Sequence, residues 1–187
     1  EIKKEKKELE IVVFEQSKNG KANAVWEAIE KSKYDAIAIL DADISVDPEE
    51  LTNFFEVLAN TNSDFVNGTR LMYPMEDSAM RYINKLGNRS FQYVISKVIG
   101  VNLSDTLCGT KIFKRSRVDT IYNWQKRLYI SDPFCDFDLI FSSAYSGAKI
   151  LEYPVHYRSR KYGKTNISRF RDGWKLLSYF LISFYKF

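Results

Sequence analysis

An α/β fold, with a sheet covered by helices, is predicted from three observations on this sequence. Short apolar runs alternate with stretches of helical periodicity. The run at residues 36–40 stops abruptly at Asp41-Ala42-Asp43, as a buried strand does on leaving a core. Asp47-Pro48-Glu49-Glu50 then carries the marks of a helix start: an N-cap acid, proline at the first helical position and acids near the positive helix end.

Taken in order, residues 11–14 read as a first strand and residues 21–33 as a helix with Ala24, Ala28 and Ile29 on one side. A strand at 35–40, the helix opened by Asp47 and a third strand at 64–66 follow, the last ending at Asn67-Gly68-Thr69-Arg70. Residues 78–100 form a long helix whose Arg81, Lys85 and Arg89 recur every four residues on one stripe, away from Met80, Ile83, Leu86 and Ile95. A loop at 104–110 leads to a strand at Lys111–Lys114, a helix around Asp136–Tyr145, a strand at 148–157 and a basic loop. Residues 167–187 are helical, amphipathic at first and nearly apolar all round at the end. No repeat or low-complexity linker divides the chain, so residues 1–166 and the helix 167–187 are expected to form one domain.

Composition narrows the function classes. The 187 residues are 45% hydrophobic and 28% charged, which excludes wholesale disorder. Lys plus Arg is 28 against 24 acids, and a net charge of +4 is too mild to imply a nucleic-acid partner. Two cysteines, Cys108 and Cys135, are too few for a disulfide scaffold and point to a reducing compartment. No window holds ~18 uninterrupted apolar residues, so no membrane span is predicted. The sole histidine, His156, precludes a multi-histidine metal site and is expected to pack beside the last strand.

The chemistry begins at Asp41 and Asp43. In an extended segment residues i and i+2 point the same way, so both carboxylates would face one hard cation, Mg²⁺ or Mn²⁺, with positions left for diphosphate oxygens. The alternative is a pair of solvated turn acids. Asp47 is assigned to capping alone.

Asn19-Gly20-Lys21-Ala22-Asn23-Ala24, the run into Asp41-Ala42-Asp43, Asp47-Pro48-Glu49 and Asn67-Gly68-Thr69-Arg70 occur in order along the chain. They are followed by Asp105-Thr106-Leu107-Cys108-Gly109-Thr110-Lys111, Asp136-Phe137-Asp138-Leu139 and Arg160-Lys161-Tyr162-Gly163-Lys164-Thr165. This ordered set resembles the family-two glycosyltransferases of the GT-A fold, in the branch of dolichol-phosphate mannosyltransferases and polyprenyl-phosphate glycosyltransferases. Each motif is weak alone; the order and spacing make the likeness specific.

The resemblance implies a Rossmann-like mixed sheet flanked by helices and an inverting, metal-dependent transfer of a hexose. The donor would be a nucleotide-diphosphate sugar and the acceptor a polyprenyl phosphate or another glycan or lipid, as in polysaccharide or glycolipid assembly. Asp41 and Asp43 would hold the metal on the donor diphosphate. Arg70 and Arg81 would face the acceptor phosphate, whose oxygens match the arginine fork. Arg81 also reads as a solvated helix face. Asp105 and Asp136 are the two candidates for a catalytic base, with Asp105 preferred for a phosphate acceptor. Asp136 and Asp138 read equally as helix N-terminal acids. Lys164 and Arg160 lie in a basic loop that closes over donor phosphates in relatives, and Lys21 is placed to approach the nucleotide. Relatives commonly carry Lys where Asn166 stands here.

The helix face of Ile167, Phe170, Trp174, Leu177, Leu181 and Phe184, flanked by Arg169, Arg171 and Lys175, suits an anionic membrane interface. The other reading is that this face packs on the domain. A peripheral place on the cytoplasmic face of a membrane is expected. The chain opens on Glu1, and the relatives' first strand, helix and paired-acid second strand are not found before Ile11. A fragment or a truncated gene product is therefore expected, which leaves a non-catalytic membrane-binding or scaffold module as the rival function.

Overall fold

The computed structural model describes residues 10–73, 82–130, 132–159 and 169–187. Helix α1 (Lys21–Lys31) precedes strand β1 (Ala36–Ile39), and α2 (Glu50–Asn60) precedes β2 (Phe65–Thr69). Helix α3 (Tyr82–Ile99), β3 (Lys111–Lys114), a 3₁₀ turn (Arg115–Arg117) and α4 (Val118–Leu128) follow. The chain continues through α5 (Asp136–Tyr145), β4 (Ile150–Pro154) and α6 (Arg169–Lys186).

The four strands lie in the order β1-β3-β2-β4. β3 runs antiparallel to both β1 and β2, while β2 and β4 are parallel. Every residue of β2 is buried, which follows from its place between two strands and two helical layers. Alternation sorts its side chains. Phe65 joins Ile37, Ile39 and Phe113 in a core shared with residues of α1 and α3 to α6, including Ile29, Ile95, Trp124, Phe137 and Phe141. Val66 joins Ile112 and Val155 on the opposite face, against Phe54 and Leu58 of α2. Gly68 serves close approach: a Cβ there would lie 2.7 Å from the Thr110 carbonyl oxygen and 2.8 Å from Cys108 Sγ.

Several sequence-based expectations are corrected. Residues 11–14 are not a strand, and Val12 and Val13 are exposed. The segment is held beside α1 instead: Lys31 Nζ lies 3.7 Å from the Phe14 ring centroid, and the Ser17 N–H donates to the Glu27 carboxylate at 3.0 and 3.1 Å. Helix α2 starts at Glu50, later than expected, because Asp47 caps a preceding turn through the Glu49 N–H (3.4 Å). Strand β2 runs on through Asn67, Gly68 and Thr69, which pair with β4. Helix α4 was not anticipated; its Ile121, Trp124 and Leu128 turn a narrow stripe into the core. The expected start of the long helix before Tyr82 lies outside the described residues.

Helix α5 is buried from Asp136 to Ser143 and is the central helix of the larger core. Helix α6 covers it with Leu176, Tyr179, Phe180 and Ser183. The face carrying Trp174, Leu177, Leu181 and Phe184 is the outward one, with Phe184 beside the ring of Phe180 (centroids 6.2 Å apart). No helix among the described residues is long and apolar enough to cross a membrane.

Candidate active site

Of the expected site residues, Lys21, Asp41, Asp43, Arg70, Asp105 and Asp136 are described, and they gather at one end of the sheet. β1 and β2 end there, and antiparallel β3 begins there, so the segments after Ile39 and Thr69 meet the segment before Lys111. Ligands of α/β sheets collect where loops diverge from strand ends. The N-termini of α1 and α5 bring Lys21 and Asp136 to the same place, through the ion pairs described next.

The first cluster joins Asp41, Lys21, Asp136 and Lys111. Lys21 Nζ lies 3.0 Å from Asp41 Oδ1 and 3.5 Å from Asp136 Oδ2. Lys111, wholly buried, donates to Asp136 Oδ1 at 2.8 Å and to the Cys108 carbonyl. Burial alone would raise the Asp136 carboxyl, but Lys111 and then Lys21 outweigh it and hold it below the ordinary carboxylate range. Lys21 is likewise held charged: burial pushes its ammonium down, and Asp136 and Asp41 more than reverse this. The Asp41 carboxylate lies against Gly109, where a Cβ would stand 2.0 Å from Oδ2. Only glycine leaves room for that carboxylate.

Asp41 and Asp43 do not lie on an extended segment, contrary to the i, i+2 expectation. The Ile44 N–H donates to the Asp41 carbonyl (3.2 Å), and Ile44 has φ 51°, so the segment is a turn. Asp43 Oδ1 accepts the Ser45 N–H at 3.1 Å. Both aspartates offer hard carboxylate oxygens on partly exposed residues, and no group of three or more His, Cys, Asp or Glu comes together among the described residues. Such a pair fits Mg²⁺ or Mn²⁺, which keep places for water and phosphate oxygens, rather than an enclosed Zn²⁺ or Ca²⁺ site.

The second cluster is built on Asp105 and Arg70. Arg70 grips the carboxylate with Nε (2.6 Å to Oδ2) and Nη2 (2.9 Å to Oδ1), and its backbone N–H adds a bond at 3.1 Å. Asn88 Nδ2 and the Leu107 N–H donate to Oδ1 at 2.6 and 3.0 Å. With five donors upon it the buried carboxylate is held below its ordinary range, chiefly by Arg70 against the opposing effect of burial. Its geometry is that of a fixed anion orienting a cation. The Arg70 guanidinium also faces the Tyr157 ring, 5.2 Å from its centroid.

Two further residues were not singled out in the sequence. Lys111 and Glu152 both lie on the inward face of a strand, in register with Asn67 between them. Glu152 accepts the backbone N–H groups of Ser104 and Asp105 (2.7 and 3.1 Å) and the Ser104 hydroxyl (2.8 Å), and so fixes the loop that carries Asp105. The signal was present: a lysine two residues before Phe113 and a glutamate two residues after Ile150 share the core face by alternation.

Asp132 and Asp138 flank Asp136. Asp132 caps α5 by accepting the Phe134 and Phe137 N–H groups at 2.9 and 2.6 Å; burial, then Asp136, raises it to about 7. Burial likewise raises Asp138 to about 6, where it meets Gln125 (2.9 Å) and the Tyr179 hydroxyl. His156 lies after β4, stacked on Tyr73 at 4.1 Å and 3.2 Å from Glu50 Oε1. Arg81, Arg160 and Lys164 lie outside the described residues, as do Lys161, Asn166 and Ile167.

Residues 1–121 match the model of the family described as Glycosyl transferase family 2. A low-salt glycan biosynthesis hexosyltransferase, Agl6, of Haloferax volcanii is 25% identical over 92% of this chain and 40% of its own length. A dolichyl-phosphate hexose transferase of the same organism is 28% identical over 86% of this chain and 66% of its own. The chain thus spans roughly half the length of these relatives. Among solved structures, glucosyl-3-phosphoglycerate synthase from Mycobacterium tuberculosis in complex with Mg²⁺ and uridine diphosphate aligns with a TM-score of 0.61. That match has 14% identity and covers 89% of this chain and 55% of the other. The mixed sheet flanked by helices is therefore a GT-A fold.

Proposed function

The chain belongs to glycosyl transferase family 2, and we propose that the protein transfers a hexose from a nucleotide-diphosphate sugar to a polyprenyl phosphate with inversion. The observation that carries this reading is the pair of charged clusters at one end of the sheet: an acidic turn with a shared lysine beside an arginine locked on a buried aspartate. The first suits a metal-bound diphosphate and the second a phosphate monoester. The kinship with a dolichyl-phosphate hexose transferase supports the acceptor class, and the Mg²⁺–uridine diphosphate complex of a structural neighbour supports the donor class.

Asp41 and Asp43 would hold Mg²⁺ or Mn²⁺, which when bound neutralises charge on the departing diphosphate. Lys21 adds a positive charge beside it. Arg70, oriented by Asp105, places an acceptor phosphate oxygen for attack on the anomeric carbon. The new C–O bond forms as the bond to the diphosphate breaks, and one displacement inverts that carbon. An ionised phosphate needs no proton removed, so positioning dominates. Asp105 then serves to position Arg70, and Asp136, kept ionised by Lys111, sets the place of Lys21. Arg81, Arg160 and Lys164 are proposed as further phosphate contacts.

The outward face of α6 supports a membrane-associated acceptor: Trp174 is 71% exposed and Leu181 and Phe184 are 56% and 55% exposed, with Lys175 and Arg171 beside them. Such a helix lies in an anionic interface, here on the cytoplasmic face. The test is transfer of labelled hexose from a panel of nucleotide-diphosphate sugars to polyprenyl phosphate in vesicles, using the full-length protein. Label is expected in the lipid fraction with Mg²⁺ or Mn²⁺ and lost with EDTA or in Asp41→Asn. Undiminished transfer in EDTA rejects the metal, and no transfer from any donor rejects the reaction.

A further inference from the structure

Lys21 stands where the proposed donor chemistry must displace it. Its ammonium lies 3.0 Å from Asp41 Oδ1, on a side chain 29% exposed, at the first residue of α1. A carboxylate oxygen occupied by an ammonium at that distance cannot take a divalent cation without bringing two positive charges together. The two partners of Lys21 are unequal in what they lose when it leaves. Asp136 keeps a cation, because Lys111 holds its other oxygen at 2.8 Å in full burial. Asp41 is more open, its side chain 39% exposed, and lies against Gly109, where no side chain confines it.

We propose that Lys21 is an exchangeable internal counter-ion, neutralising Asp41 in the free protein and passing to the donor's diphosphate when a divalent cation takes that carboxylate. The proposal rests on the reading that Asp41 and Asp43 hold the cation. It makes cation and donor partners rather than independent ligands. A cation binding alone must strip Asp41 of its lysine, whereas one arriving with a diphosphate offers that lysine a new anion. By linkage, each ligand raises the affinity of the other by the same factor.

The test is Mn²⁺ binding to the full chain, followed by electron paramagnetic resonance of the free ion, with and without saturating uridine diphosphate. Wild type is compared with Lys21→Met, Lys21→Gln, Lys21→Arg and Asp41→Asn. Both neutral variants are expected to bind Mn²⁺ alone at least about fivefold more tightly than wild type, a factor typical of coupled sites. The gain in Mn²⁺ affinity on adding the diphosphate should shrink in them, while Lys21→Arg retains the wild-type coupling. If Asp41→Asn weakens Mn²⁺ binding but neither neutral variant tightens it, the exchange is wrong and Asp41 keeps its role. If Asp41→Asn binds Mn²⁺ as wild type does, the cation reading falls, and the exchange with it.

Discussion

Lys111 and Asp136 are a fully buried ion pair, and removing one member costs far more than removing both. Asp136→Asn leaves an uncompensated ammonium in the core and is expected to lower unfolding free energy by about 3–5 kcal/mol, read from urea unfolding. Lys111→Met in that background should recover much of the loss, and a double-mutant cycle that is additive contradicts the pairing. Asp132 gives a pH signature of opposite sense to most acids. Its carboxyl is raised to about 7 in the fold, so the folded state binds more protons than the unfolded one between about pH 4 and 7. The stability it contributes is present at low pH and is lost as pH rises through that window, with a slope on the order of 1 kcal/mol per pH unit. Asp132→Asn should flatten that decline in thermal unfolding measured from pH 4 to 7, and an unchanged slope rejects the assignment.

The strands transmit these pairs to the fold. Ile39, Lys111, Asn67 and Glu152 are register neighbours across the four strands, one step beyond the apolar row of Ile37, Phe113, Phe65 and Ile150. The sheet thus turns from hydrocarbon to polar within two residues, and the site begins at that boundary. Strands β1 and β3 and helices α1, α5 and α6 were legible because apolar spacing and helix-start signals agree over their lengths. Residues 11–14 have strand composition but run beside α1, where Lys31 lies over the Phe14 ring and Glu27 holds Ser17 just beyond them. Helix α4 was hidden because only Ile121, Trp124 and Leu128 of its eleven residues are buried, a stripe too thin to announce itself. The acidic pair was legible in residue type but not in conformation, since nothing in Asp41-Ala42-Asp43 foretells the left-handed Ile44. The end of α6 is nearly apolar all round in sequence, and packing turns Leu176, Tyr179 and Phe180 inward. Replacing Leu177, Leu181 and Phe184 by Ser should change stability by only about 0.5 kcal/mol per site. The same variant should lose sedimentation with anionic vesicles, and retained sedimentation removes α6 from the membrane contact.

At the scale of the whole molecule, the described residues place a charged cluster at each end of the sheet. At one end Asp64 ties Lys114 (3.1 Å), Arg117 (2.6 Å) and the Lys149 N–H (3.1 Å) together, which joins β2, β3 and β4 where Arg70 and Asp41 are absent. Asp64→Asn is therefore expected to lower stability and leave both Michaelis constants unchanged, as shown by steady-state kinetics beside urea unfolding. At the other end the proposed reaction divides labour, with the Asp41–Lys21–Asp136 cluster serving the donor and the Arg70–Asp105 pair serving the acceptor. The most direct test is an initial-rate titration of both substrates with Arg70→Lys in the full-length protein, since lysine keeps the charge but loses the two-pronged bond to Asp105 that orients it. The KM for polyprenyl phosphate should rise about tenfold, the loss of about 1.4 kcal/mol of phosphate binding, while the KM for the sugar nucleotide stays within about twofold. An equal rise in both constants, or a rise for the donor alone, contradicts this division between donor and acceptor clusters.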